Sequence, residues 1–183
     1  VGSEMCIRDR YMDIKAFKMD GLGNDFVIIE TKKRNPISIS KEKIIELGKR
    51  DNIGFDQMIF VEEDRVIPNH ASITIFNSDG DKVDACGNGS RCIIKLLPLI
   101  DSKSKEEYEK NSKKNISLKT KNRILTGSLS DKSKVLLDMG NPIFDWNKIP
   151  LSKKIDPGNV DIEIDGEKIS FGFCVNVGNP HII

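Results

Sequence analysis

The sequence lacks any long apolar run, and its most apolar stretch is interrupted by Lys95 and Pro98. A membrane-spanning helix needs about 20 consecutive apolar residues, so no membrane span is predicted. An excess of charge of one sign is also missing, because 29 basic residues stand against 28 acidic ones in the 183-residue chain. This near-neutral charge gives no reason to expect nucleic acid or an acidic membrane surface as a partner.

Cysteine and histidine are scarce. The four cysteines are Cys6, Cys86, Cys92 and Cys174, and the two histidines are His70 and His181. Without Cys6, which lies in the leader described next, an odd number of cysteines remains, without the dense spacing of a disulfide scaffold. We therefore predict free thiols and a cytoplasmic location. The histidines show no zinc-site spacing with the cysteines, so no metal site is predicted.

The amino terminus lacks the apolar core of a secretory signal. Residues 1–11 contain several charges and match nothing downstream, so we interpret them as an artefactual leader and Met12 as the natural initiator. The whole chain is 38% hydrophobic and 31% charged. That composition is typical of a soluble protein with one large or two small domains.

One stretch, FNSDGDKVDACGNGSRC at residues 76–92, is predicted to carry the chemistry. A strand of alternating polarity at residues 71–76 leads into it, and Asp79-Gly80 favours a tight turn. After Gly87-Asn88-Gly89 the apolar spacing becomes that of a helix. Cys86 therefore precedes a helix start, where free N–H groups and the helix dipole stabilise a thiolate and bind an anionic ligand group. Such a position suits chemistry on an acidic small molecule.

The remaining patterns predict short strands around one apolar helix. The helix after Cys86 is apolar on most sides, so we expect strands to wrap it and Pro98 to kink or end it. Ser40 is predicted to cap a helix at residues 40–51, whereas the charged run at 101–115 should form a solvated helix end or loop. Strands are predicted at residues 13–20, 25–30, 58–61, 71–76, 116–121, 123–129, 134–139, 160–164 and 168–177.

A short repeat relates the two ends of the chain. Residues 23–29, GNDFVII, match residues 178–183, GNPHII, when one residue is dropped. A match this short is weak alone, but repetition of a Gly-Asn pair before an apolar strand suggests an internal duplication.

Five motifs, GLGNDFVIIE, GFDQMIFVE, FNSDGDKVDACGNGSRC, LLDMGNPI and VNVGNPH, resemble in this order the amino-terminal two-thirds of the diaminopimelate epimerase family. The resemblance covers residues 12–183. It implies an enzyme that epimerises LL- to meso-diaminopimelate without pyridoxal phosphate or another cofactor, in lysine and peptidoglycan precursor synthesis. It also implies an α+β fold of two pseudo-symmetric domains, each a mostly antiparallel sheet around a central helix. The full-length protein could form a homodimer.

The resemblance assigns roles to particular residues. Cys86 matches one of two catalytic cysteines, and His181 matches a histidine that tunes the pKa of those cysteines. The positions that match substrate-binding residues are Asn24, Gln57, Asn77, Gly87, Asn88 and Asn179. In the family, the active site lies between the two domains.

Two features depart from the family pattern. Asp20 stands where many members carry histidine, which matters little to the chemistry. The chain also stops at Ile183, before the second catalytic cysteine and its partner glutamate and arginine. We therefore expect residues 12–133 to form a nearly complete amino-terminal domain and residues 134–183 only the start of a second one. The fragment alone is expected to be inactive.

The residue types suit epimerisation. A stereocentre is inverted when one group removes the α-proton from one face and another returns a proton to the opposite face, which a thiolate and a thiol can do. N–H donors near Gly87-Asn88 would stabilise the carbanion through the substrate carboxylate. Neutral amides hold charged ends without competing for the proton. Cys92 and Cys174, by contrast, are interpreted as buried apolar residues.

Several alternatives remain open. Proline racemases share the superfold but have a different cysteine motif, and phenazine-type isomerases carry a carboxylate where this chain has Cys86. A catalytically inactive ligand-binding fragment is the alternative from another class. Asn24 and Asn179 could be simple turn formers, and His181 a core histidine. A redox or metal pair of Cys86 with Cys92 is disfavoured by their separation and by the lack of a third ligand.

Overall fold

The computed structural model describes residues 3–9, 12–31, 37–64, 67, 70–84, 86–130 and 134–183. The chain folds into two compact units, Val1–Asp138 and Met139–Ile183. Among the described residues, no helix is long and apolar enough to cross a membrane.

The first unit is a mixed sheet with a few helices. Its strands are β1 (Ser3–Asp9), β2 (Met12–Gly21), β3 (Asn24–Thr31), β4 (Gln57–Asp64), β5 (His70–Asn77), β6 (Lys82–Val83), β7 (Ile116–Lys119), β8 (Ile124–Leu129) and β9 (Val135–Asp138). Its helices are α1 (Lys41–Gly48), α2 (Gly87–Ile100) and α3 (Lys105–Asn111). The sheet order is β1-β2-β3-β4-β5-β7-β8-β9, with β6 beside β5. The β3–β4 and β5–β7 pairs are parallel, and the other described pairs are antiparallel.

Helix α2 lies at the centre of the first unit and packs against β2, β3, β4, β8 and β9. Ile93 and Ile94 are fully buried in the core that α2 forms with residues such as Phe26, Ile59 and Leu118. Burying one such isoleucine contributes about 1.5–3 kcal/mol, so these contacts fix α2 against the strands. The prediction of an α+β fold with strands wrapped around one apolar helix is confirmed.

The opposite face of the sheet packs against α1. On β3, Phe26 and Ile28 belong to the core around α2, whereas Val27 and Ile29 belong to a second core that includes Ile44 of α1. Because side chains alternate between the faces of a strand, β3 is buried on both sides. Burial on both sides gives the strand a fixed register.

Helix α1 begins as predicted, with the Ser40 hydroxyl accepting the Lys43 N–H at 3.3 Å. It ends at Gly48, three residues before the predicted end. The chain turns back after α1 at Gly54, whose N–H donates to the Leu47 carbonyl at 3.1 Å and whose φ is +66°. Ile44 and Leu47 of α1 are buried, whereas Ile45 is 37% exposed.

Helix α2 does not end at Pro98. Pro98 lacks the N–H that would bond to the carbonyl four residues earlier, yet the helix runs on to Ile100. Pro98 is buried, and its carbonyl accepts the Ser102 hydroxyl at 2.6 Å. The charged run that follows forms α3, which is capped by Ser104 and buries no residue.

The leader forms β1, which pairs antiparallel with β2 from Ser3↔Lys18 to Asp9↔Met12. Backbone pairing requires no particular side chains, so the artefactual origin of the leader stays a prediction. Residues 1, 2, 10 and 11 of the leader lie outside the described part of the chain.

The second unit consists of two hairpins, β10 (Val160–Ile164) with β11 (Glu167–Gly172) and β12 (Cys174–Asn176) with β13 (Pro180–Ile182). Its small core contains Ile149, Val160 and Cys174. The strand predicted at 168–177 is two strands, because Gly172 pairs with Val160 whereas Phe173 exchanges hydrogen bonds with Ile183. Strand β9 belongs to the first unit.

Candidate active site

Cys86 is the N-cap of α2, with an extended backbone at φ −144° and ψ 112°. Its Sγ accepts the Gly89 N–H at 3.4 Å, and its carbonyl accepts the Ser90 N–H at 2.9 Å. The first N–H groups of a helix have no partner within the helix, so those of Gly87 and Asn88 are available to an anionic group. The half-buried thiol of Cys86 lies beside them.

Two glycines allow the first turn of α2 to approach the sheet. A Cβ on Gly89 would lie 2.6 Å from Ile59 Cδ1, and a Cβ on Gly21 would lie 2.9 Å from Cys92 Sγ and 3.2 Å from the Asn88 carbonyl. A side chain at either position would force these neighbouring atoms to shift, so glycine favours the close approach. Positive φ values in the GLGN turn fall on Leu22 and Gly23, at +58° and +86°, rather than on Gly21.

Three predicted binding residues lie at the same end of the sheet. Asn24 begins β3, Gln57 begins β4 and Asn77 ends β5. Gln57 pairs with both Phe26 and Asn77, and its Nε2 donates to Asn77 Oδ1 at 2.9 Å. The Gln57 Oε1 is buried without a hydrogen-bond partner among the described residues. An N–H donor that reached this acceptor would satisfy it.

Asn24 and Asn88 meet although they are 64 positions apart. Asn88 Nδ2 donates to Asn24 Oδ1 at 2.8 Å, and an Arg91 guanidinium N–H donates to Asn88 Oδ1. At the other end, Asn24 Nδ2 donates to Asp56 Oδ2 at 3.4 Å. These contacts join the start of α2 to the end of the sheet.

Asp56 is held by several donors. Its Oδ2 also accepts the Asp25 N–H at 2.9 Å. Arg50 pairs with both carboxylates, with Nη1 2.6 Å from Asp25 Oδ2 and Nη2 2.5 Å from Asp56 Oδ1. Desolvation alone would raise the pKa of Asp56. The hydrogen bonds from Asp25 and Asn24 and the charge of Arg50 outweigh it, so the pKa of this carboxyl lies below its usual value.

The other two cysteines whose side chains are described are buried, as predicted. Cys92 is 5% exposed, and Cys174 is 3% exposed on β12. Desolvation, followed by the nearby Asp20 and Cys86, raises the pKa of Cys92 to about 11. Cys92 is therefore a neutral thiol near pH 7, and it donates to the Asp20 carbonyl at 3.7 Å.

Asn179 and His181 lie in the second unit. His181 Nε2 and Asn179 Oδ1 are 3.1 Å apart, and both residues are exposed. Gly178 before them has a φ of +121°, just as Gly23 before Asn24 has a positive φ. Each Gly-Asn pair also connects two antiparallel strands. The local backbone therefore agrees with the repeat seen in the sequence.

A cavity of about 680 Å³ lies beside α2. It is lined by Lys18, Met19, Asp20, Gly21, Leu22, Arg91, Cys92, Lys95, Lys134 and Val135. Cys86, Gln57 and Asn77 do not line it, whereas Arg91, which donates to Asn88, does. Among the described residues, no group of three or more His, Cys, Asp or Glu side chains could hold a metal ion.

Sequence reasoning missed Asp56, Arg50 and Arg91. Arg91 follows Asn88 by three positions, so helical spacing alone could have paired them. Asp56 stands next to Gln57 in the GFDQ motif, but its contact with Asn24 depends on the parallel pairing of β3 with β4. The contacts of Arg50 with Asp25 and Asp56 likewise become visible only in the folded structure.

Comparison with solved structures defines the class of fold. The crystal structure of a methylitaconate-delta-isomerase aligns with a TM-score of 0.52 and 11% sequence identity, covering 98% of this chain and 52% of that one. At this identity the likeness shows the fold alone.

The family is more specific. The family model for diaminopimelate epimerase matches residues 16–144, and this chain belongs to that family. It is 43% identical over 175 residues to a diaminopimelate epimerase of Pelagibacter ubique, covering 94% of this chain and 59% of the relative. It is 35% identical over 176 residues to one of Caulobacter sp. strain K31, covering 91% and 57%. The chain thus spans less than two thirds of the length of these relatives.

Proposed function

We propose that this chain belongs to a working diaminopimelate epimerase, which converts LL- to meso-diaminopimelate without a cofactor in lysine and peptidoglycan precursor synthesis. The observation that carries the proposal is the half-buried Cys86 at the start of α2, in a chain of this family. Free thiols at Cys86, Cys92 and Cys174 suit a reducing compartment such as the cytoplasm.

Cys86 is proposed to act as the base or acid on one face of the substrate carbon. A thiolate there would take the α-proton. The substrate carboxylate next to the carbanion would accept hydrogen bonds from the N–H groups of Gly87 and Asn88. Donors fixed before the reaction stabilise the developing charge without reorganisation. The family match and the open helix start support these roles.

The amide residues are proposed to hold the charged ends of the substrate. Diaminopimelate carries two ammonium and two carboxylate groups, so its site needs both acceptors and donors. The unpartnered Gln57 Oε1 suits an ammonium group, and Asn24, Asn77, Asn88 and Asn179 supply further amide groups. His181, beside Asn179, is proposed to act on the ionisation of the catalytic cysteines.

A second cysteine from a second domain is proposed to serve the opposite face. Residues 12–133 and 134–183 are accordingly proposed to belong to two related domains. Cys92 and Cys174 are unsuited to the second role because both are buried.

The test uses the protein encoded by the complete reading frame that contains this chain. In deuterated water, LL-diaminopimelate should yield meso-diaminopimelate with deuterium at the inverted carbon. Cys86→Ala should lower the rate by about 10³-fold or more, as expected for loss of one member of a catalytic pair. Cys92→Ala, the matched change at a buried thiol, should keep most of the rate. Equal rates for Cys86→Ala and the unsubstituted enzyme would refute the mechanism. Binding of diaminopimelate without any turnover would instead indicate a binding protein.

A further inference from the structure

We propose that Asp56 is a positioning residue, which orients the amides of Asn24 and Asn88 so that they present N–H donors to a ligand carboxylate. The inference rests on the proposed function only for the identity of that ligand. The orientation itself follows from contacts among described residues of the first unit.

The four side chains Asp56, Asn24, Asn88 and Arg91 form a hydrogen-bonded row, called here the amide relay. An ionised carboxylate can only accept hydrogen bonds, and a guanidinium can only donate them. Asp56 therefore requires the Nδ2 of Asn24, which turns Asn24 Oδ1 toward Asn88. Asn88 must then donate through Nδ2, and its Oδ1 meets Arg91. With fixed groups at both ends, the amide relay has one polarity.

This polarity determines what the relay offers a ligand. Within the relay, both amide oxygens accept a hydrogen bond: Asn24 Oδ1 accepts from Asn88, and Asn88 Oδ1 accepts from Arg91. Each amide nitrogen carries two hydrogens and uses one in the relay, so one donor remains on each. These amide N–H donors suit a ligand carboxylate, whereas the opposite orientation of the two amides would present their oxygens to it. The relay thus adds side-chain donors to the N–H groups at the start of α2.

The chain contains a matched control for Asp56. Asp25 and Asp56 both pair with Arg50, and each side chain is 34% exposed. The Asp25 carboxylate, however, contacts Arg50, and only the backbone N–H of Asp25 reaches the Asp56 carboxylate. Asp25→Asn and Asp56→Asn are therefore the same chemical change beside the same arginine, and only one of them touches the relay.

Asp56→Asn should reverse the relay. In the native site one carboxylate oxygen accepts from Asn24 and Asp25, and the other accepts from Arg50. An amide has only one oxygen, and a charged donor makes the stronger demand. The oxygen should therefore face Arg50, and the new NH₂ should face both Asn24 and the backbone N–H of Asp25, which then loses its acceptor. Asn24 must then turn its own oxygen to that NH₂, and its Nδ2 meets the Nδ2 of Asn88.

The first experiment measures the amides directly. In the protein from the complete reading frame, side-chain amide NMR signals of Asn24 and Asn88 should both move in Asp56→Asn and stay in place in Asp25→Asn. An unchanged Asn88 signal in Asp56→Asn would overturn the proposal. This readout needs no substrate, so it decides the inference even if diaminopimelate proves not to be the ligand.

The second experiment measures binding and turnover. Asp56→Asn should raise KM for diaminopimelate about 10- to 100-fold, the range for loss of a hydrogen bond to a charged group, with a much smaller change in kcat. The Kd of meso-diaminopimelate, measured by calorimetry in Cys86→Ala protein, should rise equally. Asp25→Asn should leave KM and Kd within about threefold, because it retains every relay contact.

A double variant distinguishes the effect of amide orientation from the effect of losing the ion pair between Arg50 and Asp56. With Arg50→Gln added to Asp56→Asn, the introduced glutamine oxygen can accept the NH₂ of the introduced asparagine. The asparagine oxygen is then free to face Asn24 again, so KM should return toward the native value. Equal effects of Asp56→Asn and Asp25→Asn, or a double variant no better than Asp56→Asn, would show that Asp56 acts only through the ion pair. Failure of the unsubstituted protein to bind diaminopimelate would refute the proposed function instead.

Discussion

At the scale of single residues, burial separates three otherwise identical thiols. Cys86 is half-buried at the start of α2, whereas Cys92 and Cys174 are buried in two different cores. Burial raises the pKa of Cys92 to about 11. A thiol reacts with alkylating agents as its thiolate, so the raised pKa slows Cys92, and burial limits access to both Cys92 and Cys174.

We therefore predict that iodoacetamide labels Cys86 faster than Cys92 and Cys174 near neutral pH. The folded protein would be treated for short times, digested and analysed by mass spectrometry. The unfolded protein is the control, because all three thiols should then react at similar rates. Labelling of Cys92 ahead of Cys86 in the folded protein would contradict the burial argument.

Asp56 makes the stability of the first unit depend on pH. Its pKa is lower in the folded protein, so its ionised form stabilises the fold above the unfolded pKa of about 3.9. That contribution is lost as the pH falls through the lower, folded pKa. We predict that Asp56→Asn is less stable than the native protein at pH 6, and that the difference shrinks below about pH 4. Denaturant unfolding at several pH values measures this, and a difference independent of pH would contradict it.

Residue roles were predictable from the sequence only where local spacing decides them. The cap position of Cys86 follows from a strand, a glycine-rich turn and a helix in succession. The buried state of Cys92 follows from an apolar helix. The contact of Asn24 with Asp56 does not, because these residues are 32 positions apart and meet through the pairing of β3 with β4.

At the scale of elements, small residues set how closely α2 packs against the sheet. Gly127 on β8 faces the core around Ile94, and a Cβ on it would lie 2.6 Å from the Leu136 carbonyl of β9. A strand backbone cannot move aside as a flexible side chain can. The glycine is therefore needed where β8, β9 and α2 meet.

We predict that Gly127→Ala destabilises the protein by about 1–3 kcal/mol, the usual cost of overpacking a core. Ser128→Ala, one position further along β8 and half-buried, is the control and should change stability by less than about 0.5 kcal/mol. Thermal or urea unfolding measures both. Equal stability of the two variants would mean that β8 can move away from α2.

The ends of elements were predicted less well than their existence. Pro98 indicated a kink or an end, but burial of Pro98 and its neighbours in the core keeps α2 helical to Ile100. The strand predicted at 168–177 is divided because successive residues pair with different partners. Both differences come from tertiary contacts, which override local preference.

At the scale of the whole molecule, the local geometry of the two Gly-Asn pairs supports a duplicated chain. Asn24 and Asn179 each follow a glycine with positive φ between antiparallel strands. If the halves are related, the spacing from the Gly-Asn pair to the cysteine should recur. Cys86 lies 62 positions after Asn24. The second catalytic cysteine is therefore expected near position 241 of the complete reading frame, by the logic of internal repeats.

The proposed two-cysteine mechanism can be tested by comparing this chain with the protein from the complete reading frame. Of the three cysteines whose side chains the structure describes, only Cys86 is not buried, so one of these thiols can reach the substrate carbon. We predict that this chain alone shows no measurable epimerisation of diaminopimelate, whereas the protein from the complete reading frame does. Substituting alanine for a cysteine found near the expected position should lower turnover as far as Cys86→Ala is expected to lower it. Deuterium incorporation at the α-carbon is the sensitive assay. If each cysteine serves one face, as proposed, the double alanine variant should be no slower than either single one. Turnover by the 183-residue chain at a normal enzyme rate would refute the requirement for a second cysteine.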